Sequence, residues 1–165
     1  MVQKYEKFFE NHKGYVSHKW IHYFYIYDKL FSEYLKGNKP LTIMEIGVDR
    51  GGSLEIWKKY FPEGSKIYGI DINPKCNELE FSENIFFHLG NASDRAFMEK
   101  TFGNIEFDII LDDGSHICSD VIETFKIMFP RIKNGGLYIV EDLHTSYWKN
   151  YGGGYLKKES SIEYF

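Results

Sequence analysis

From Leu41 onward short apolar runs alternate with amphipathic stretches, the pattern that builds βαβ units and a parallel sheet. The runs predict strands over Leu41–Val48, Lys66–Ile72, Asn84–Leu89, Phe107–Asp112 and Gly136–Glu141, each followed by a polar turn. Between them Ser53 is placed to cap a helix through Leu54, Trp57 and Tyr60 that Pro62 and Gly64 stop, and Ser93 to cap another through Phe97 and Met98. A third, from about Ser119 to Phe129, carries Val121, Ile122, Phe125, Met128 and Phe129 at helical spacing, with Asn134-Gly135-Gly136 as the turn back into the sheet. The expected fold is α/β, a doubly wound, Rossmann-like parallel sheet.

The first forty residues read as helix with an apolar stripe of Trp20, Tyr23, Tyr27, Leu30 and Phe31. Two readings stay open: an ordinary helix packed on the sheet, or a lid over a ligand, which His18, His22 and the interleaved tyrosine hydroxyls favour. The division is therefore an aromatic-rich helical lid over residues 1–40 and a cofactor-binding catalytic domain over 41–165. At the other end Ser160 and Glu163 have capping-box spacing, yet the sequence ends at Phe165. The expectation is the front part of a longer protein, with further C-terminal strands missing and one sheet edge uncovered.

Composition narrows the function. At 165 residues the chain is most simply one compact unit. A formal charge of -4 and dispersed lysines provide no basic field for nucleic acid. Cys76 and Cys118 form no C-x-x-C pair, so neither a disulfide framework nor a zinc knuckle is implied, in keeping with a reducing cytoplasm. No run approaches the ~20 apolar residues of a membrane span, and Met1 to Glu6 lacks a basic start leading into an apolar run.

The segment Glu45-Ile46-Gly47-Val48-Asp49-Arg50-Gly51-Gly52-Ser53 joins the first strand to the first helix of the alternating region, where glycines admit a ligand to the backbone and a helix N-terminus presents free N–H groups. It is not the dinucleotide G-x-G-x-x-G, because Asp49 stands where the pyrophosphate-admitting glycine would be. An E-x-G-x-x-x-G form suits S-adenosylmethionine, whose amino-acid end carries an ammonium as well as a carboxylate. Asp71 closes the second strand, placed to accept from both ribose hydroxyls, and Asn91 or Asp94 after the third is placed to meet an adenine amine.

Two strand ends then carry acids: Leu111-Asp112-Asp113-Gly114-Ser115-His116 and Val140-Glu141-Asp142-Leu143-His144. Oxygen ligands of this kind suit a hard cation such as Mg2+ rather than zinc, and a divalent ion relieves the repulsion among crowded carboxylates. The bland alternative is that these acids cap helices or pair with lysines. His116 follows Asp113 on the same turn, and histidine is the usual general base at neutral pH; His144 competes for that role.

Together these residues resemble the magnesium-dependent class I methyltransferases that act on sugar hydroxyls, the mycinamicin and macrocin O-methyltransferase type. "EIGVDRGGSLEIWKKYFP", "IYGIDI", "FDIILDDGSHI", "FPRIKNGGLYIVEDLHTSYW" and "YGGG" stand in family order between about Leu41 and Gly154. The resemblance implies Asp113, Glu141 and Asp142 as metal ligands and His116 as base, with Glu45, Gly47, Ser53, Asp71 and Asp112 on cofactor-binding positions; Gly51, Asn91 and Asp94 complete that set from the residues themselves. Cephalosporin-hydroxylase-like proteins share a comparable acid pattern. The family's lid pattern, D-K-G followed by H-x-Y, is matched only loosely by His12-Lys13-Gly14 and His18-Lys19-Trp20. The family also continues past the position of Phe165 with a helix and two further strands.

The function expected is an S-adenosylmethionine-dependent, Mg2+-assisted O-methyltransferase acting on a sugar-containing small molecule, with Tyr147 and Trp148 as an apolar wall against the sugar, no nucleic-acid or membrane partner, and a homo-oligomer allowed. The rivals are an NAD-dependent enzyme on the same sheet, which Asp49 and the lack of a Tyr-x-x-x-Lys dyad oppose, and a non-catalytic methyltransferase-like fragment.

Overall fold

The computed structural model describes residues 4–165; the first three residues of the expected lid lie outside them. Five strands, β1 (Thr42–Ile46), β2 (Lys66–Asp71), β3 (Ile85–Leu89), β4 (Phe107–Asp112) and β5 (Ile132–Val140), form one sheet in the order β3-β2-β1-β4-β5. Every pairing is parallel. The order reverses between β1 and β4, which places a crevice at the carboxyl ends of those strands.

Alternation along the strands assigns the two faces. Ile43 on β1, Ile67 on β2 and Ile109 and Leu111 on β4 pack with α1 (Tyr5–Glu10), α2 (Ile21–Lys36) and α3 (Gly52–Tyr60). Met44, Ile46, Ile70 and Ile110 turn the other way, toward α4 (Arg95–Phe102) and α5 (Cys118–Met128). The expected doubly wound sheet is thus realised, with the N-terminal helices sharing its core. No helix among the described residues is long and apolar enough to cross a membrane.

The N-terminal aromatics differ from the predicted stripe. Phe24, Tyr27 and Phe31 face inward from α2, while Trp20 and Leu30 are exposed. Trp57 of α3 is the hub, with ring centroids at 4.6 Å from Tyr5, 5.1 Å from Tyr27 and 5.9 Å from Phe31. Their tilted and edge-on arrangements suit ring quadrupoles. The single long helix expected there is broken, because residues 11–20 form an extended strap between α1 and α2. The strap lies on the start of α3: Gly52 N donates to Val16 O at 3.2 Å and Tyr15 N to Glu55 Oε2 at 2.8 Å. Gly52 has no room for a side chain, since a Cβ there would stand 2.2 Å from Tyr15 O.

Smaller departures have local causes. The helix expected to be capped by Ser53 is entered through Gly51 in the left-handed region (φ 84°), and Asp94 rather than Ser93 caps α4 by accepting from Phe97 N at 3.1 Å. β5 begins at Ile132 rather than Gly136, because its pairing with β4 shifts register between Phe107 and Ile109, and Asn134-Gly135-Gly136 lies within this irregular ladder. A short helix, α6 (Ser161–Tyr164), does start after Ser160, but the capping-box hydrogen bond is not made.

Gly52→Ala is expected to cost about 1–3 kcal/mol in urea unfolding, the range for overpacking, and to speed tryptic cleavage at Lys13 and Lys19 by lifting the strap. Gly37→Ala is the control, because a Cβ there meets nothing within 4 Å; equal cleavage of the two variants would contradict the strap's attachment through Gly52.

Candidate active site at the carboxyl edge of the sheet

Each acid of the site hangs from a strand end that the neighbouring strand holds. Asp113 N donates to Ile46 O at 2.8 Å and Glu141 N to Asp112 O at 2.9 Å, continuing the ladder past the last strand residues. Gly47 fits only as glycine: its φ is +88° and a Cβ would stand 2.0 Å from Asp113 O, so the β1 loop and the β4 loop are packed backbone to backbone.

A crevice of about 450 Å³ opens there, lined among others by Gly47, Asp71, Asn91, Asp112, Asp113 and His116. His18, Lys19 and Trp20 from the strap form part of its wall. Asp71 is busy: Oδ2 accepts from Val48 N and Asp49 N at 2.8 and 2.9 Å, and Oδ1 from Asn73 N at 2.8 Å. An ionised carboxylate offers about four acceptor positions, so one direction remains for a ribose hydroxyl. Burial pushes the Asp112 carboxyl up to about 7, against the pull of the Tyr138 hydroxyl and the Gly114 N–H.

Four expected cofactor residues do not line the crevice. Glu45 is fully buried and accepts from Ser53 Oγ, so that pair ties β1 to α3 behind the crevice wall. Gly51 is the helix-entry turn, and Asp94 is spent on capping α4. Glu45, Gly51, Ser53 and Asp94 therefore support the site from outside.

The expected trio of metal-binding acids is split. Asp113 Oδ1 and Asp142 Oδ2 approach His116 Nε2 at 3.7 and 3.9 Å. Asp113, His116 and Asp142 can each offer an atom within 4.8 Å of the others. Glu141 instead turns inward, with Oε1 accepting from the Tyr27 hydroxyl at 2.6 Å and Oε2 from Lys19 Nζ at 3.1 Å. Burial pushes the Glu141 carboxyl upward, the Lys19 ammonium pulls it down, and the charge of Asp113 adds to the rise.

Lys19 is the residue that the sequence did not single out. Its Nζ lies 2.6 Å from Asp113 Oδ2, 3.1 Å from Glu141 Oε2 and 3.0 Å from Glu45 Oε1. Burial works against the ammonium, but Glu45 and Glu141 outweigh it and hold Lys19 well above the ordinary lysine value. Tyr23 was also missed as a site residue; its hydroxyl donates to Asp142 Oδ1 at 2.8 Å and accepts from Asp142 N at 3.1 Å. Tyr23 and Tyr27 fall four apart on one face of α2, and that spacing was the available clue for the two hydroxyls, whereas Lys19 precedes the helix on the strap.

His116 and Asp142 both adopt left-handed backbone (φ 58° and 53°), uncommon for residues with side chains. The Thr145 hydroxyl holds both turns, donating to Asp142 O at 2.8 Å with His116 O at 3.3 Å. The competing His144 lies outside the crevice, about half exposed, against Trp148 at 5.0 Å between ring centroids. Tyr147 and Trp148 are likewise exposed and do not line the crevice, whereas Trp20 of the strap does.

The profile of a methyltransferase domain matches residues 44–143. Mycinamicin VI 2''-O-methyltransferase of Micromonospora griseorubida is 39% identical over 135 residues, 77% of this chain and 33% of that protein. The 8-demethyl-8-alpha-L-rhamnosyl tetracenomycin-C 2'-O-methyltransferase of Streptomyces olivaceus is 40% identical over 149 residues, covering 84% and 38%. The chain thus spans about a third of the length of the curated relatives it matches. The crystal structure of the MycE methyltransferase in complex with Mg and SAH superposes with a TM-score of 0.78 at 34% identity, over 89% of this chain and 39% of that one. With the domain match spanning most of the sheet and the crevice at the β1–β4 switch point, the chain belongs to the methyltransferase domain family.

Proposed function

We propose that this chain carries the cofactor and metal sites of an S-adenosylmethionine-dependent, Mg2+-assisted O-methyltransferase that modifies a hydroxyl of a sugar-containing small molecule. The observation that carries the reading is the gathering of Asp113, Asp142 and His116 on one rim of the crevice, beside the Gly47 loop. The relatives are named as O-methyltransferases of mycinamicin VI, of a rhamnosyl tetracenomycin-C and of demethylmacrocin, which supports this reading.

The residues present fit both groups. Gly47, Asp71, Asn91 and Asp112 would hold the cofactor, and Asp113 with Asp142 would hold the ion through hard oxygen donors. When bound, the cofactor would supply an electrophilic methyl group and the ion Lewis acidity toward the acceptor hydroxyl. This chain's own part is orientation and proton handling. Nε2 of His116 takes the acceptor's proton, with Asp113 Oδ1 and Asp142 Oδ2 nearby to stabilise the imidazolium that results. Strap residues His18 and Trp20 exclude water from that side and offer the indole face to the apolar face of a sugar ring. Asp49, a carboxylate on the crevice wall, repels a pyrophosphate and disfavours the NAD alternative.

His116→Ala is expected to lower kcat for methyl transfer to an accepted glycoside by about 10²–10⁴-fold, the usual contribution of a general base, with S-adenosylhomocysteine binding retained; His144→Ala should stay within a few-fold of wild type. Unchanged transfer in the His116 variant would remove this mechanism. By calorimetry the protein is expected to bind S-adenosylhomocysteine and not NAD; binding of NAD alone would reverse the assignment.

A further inference from the structure

Lys19 is the only lysine among the described residues with a buried side chain, and it meets more acids than one ammonium can neutralise. Three carboxylates, Glu45, Asp113 and Glu141, stand within 3.1 Å of Nζ. Glu45 Oε1 has no hydrogen-bond partner, so it faces the ammonium at pairing distance but off the hydrogen-bonding angle. The inner cluster remains net negative, and Asp142 adds a further charge at the rim. Buried charge of one sign calls for a compensating cation.

The two oxygens of Asp113 face different ways. Oδ2 is taken by Lys19 at 2.6 Å, whereas Oδ1 is directed to the rim with Asp142 Oδ2 and His116. We propose that Lys19 is a built-in cation of this site, neutralising the inner carboxylates and leaving the outer pair, Asp113 Oδ1 and Asp142 Oδ2, for a single divalent ion whose affinity it holds down. The inference rests on the proposed Mg2+ site and assigns Lys19 a positioning role, since it acts through the carboxylates.

Two effects of Lys19 oppose one another. Its ammonium repels a divalent ion a few ångströms away, and it also helps to hold the carboxylates in place. The second effect has substitutes: the Asp113 and Glu141 backbones are tied to Ile46 O and Asp112 O, while the hydroxyls of Tyr27 and Tyr23 hold the Glu141 and Asp142 carboxylates. Repulsion has none, so it decides the sign. Because Lys19 ends the strap, the same contacts tie the strap to the acidic edge of the sheet.

The test is Mn2+ binding by electron paramagnetic resonance, together with the Tm gain on adding Mg2+, for wild type, Lys19→Met and Lys19→Arg. Lys19→Met is expected to bind Mn2+ about tenfold or more tightly than wild type, the scale of a unit charge at a few ångströms in protein, and to gain more Tm from Mg2+; Lys19→Arg should keep the wild-type affinity. Adding Asp142→Asn to Lys19→Met should abolish the gain. The proposal is overturned if Lys19→Met binds no more tightly, if Lys19→Arg tightens equally, if the gain survives Asp142→Asn, or if Lys19→Met stays unfolded with Mg2+ present. Mn2+ binding to Lys19→Met but not to wild type would support Lys19 as the surrogate cation while removing the metal from the proposed function. Binding to neither would remove both.

Discussion

The constraint on which the rest depends is the burial of carboxylates at the ends of parallel strands. Glu45 is fully buried, Asp112 is 3% exposed and Glu141 5% exposed, and removing such groups from water is expensive unless charge or hydrogen bonds replace it. The replacement comes from far along the chain: Lys19 reaches Asp113 across 94 residues and Glu141 across 122. Those contacts need the N-terminal helices at a fixed height above the sheet. The aromatic cluster around Trp57 sets that height, and the glycine at position 52 lets the strap lie flat on α3. Apolar packing thus positions the polar tips of Lys19, Tyr23 and Tyr27, which in turn make the acidic edge stable.

The sheet was legible because a buried parallel strand leaves a simple record, a short apolar run ending in a polar turn. Phe107–Asp112 matched at both ends, and the other strands that stop at polar turns were misjudged by a residue or two. β5 was misjudged at its start because Asn134-Gly135-Gly136 has the composition of a turn, while the Tyr34 hydroxyl donates to Gly135 O and Lys133 pairs with Asp108 nearby. The strand-end acids and His116 stood out as candidates, and the fold brings Asp113, His116 and Asp142 together. Their division was not, since nothing in Glu141-Asp142 says which carboxylate turns inward. That choice is made by Lys19 and Tyr27, whose partners are distant in sequence and close only in the fold. Glu45 and Ser53 show the same limit: they occupy the motif that announces a cofactor loop, yet their side chains bond each other behind it.

The site combines rigid and strained parts in a way that fits chemistry more than stability. His116 and Asp142 hold left-handed backbone and share the Thr145 hydroxyl, so their side chains are aimed by turns that would be relaxed elsewhere. The bland alternative, acids that cap helices or pair with lysines, describes Asp94 and Asp108, and it also describes Glu141 and the inner oxygen of Asp113, which pair with Lys19. It leaves out the other oxygen of Asp113, which faces the open rim beside His116.

The most direct measurement of the central claim is a crystal structure grown with S-adenosylhomocysteine and Mn2+, with anomalous scattering used to find the ion. The expected result is one anomalous peak between the carboxylates of Asp113 and Asp142, beside His116, with the nucleoside lying along Gly47, Asp71 and Asn91. A peak elsewhere, or S-adenosylhomocysteine outside that crevice, would contradict the account.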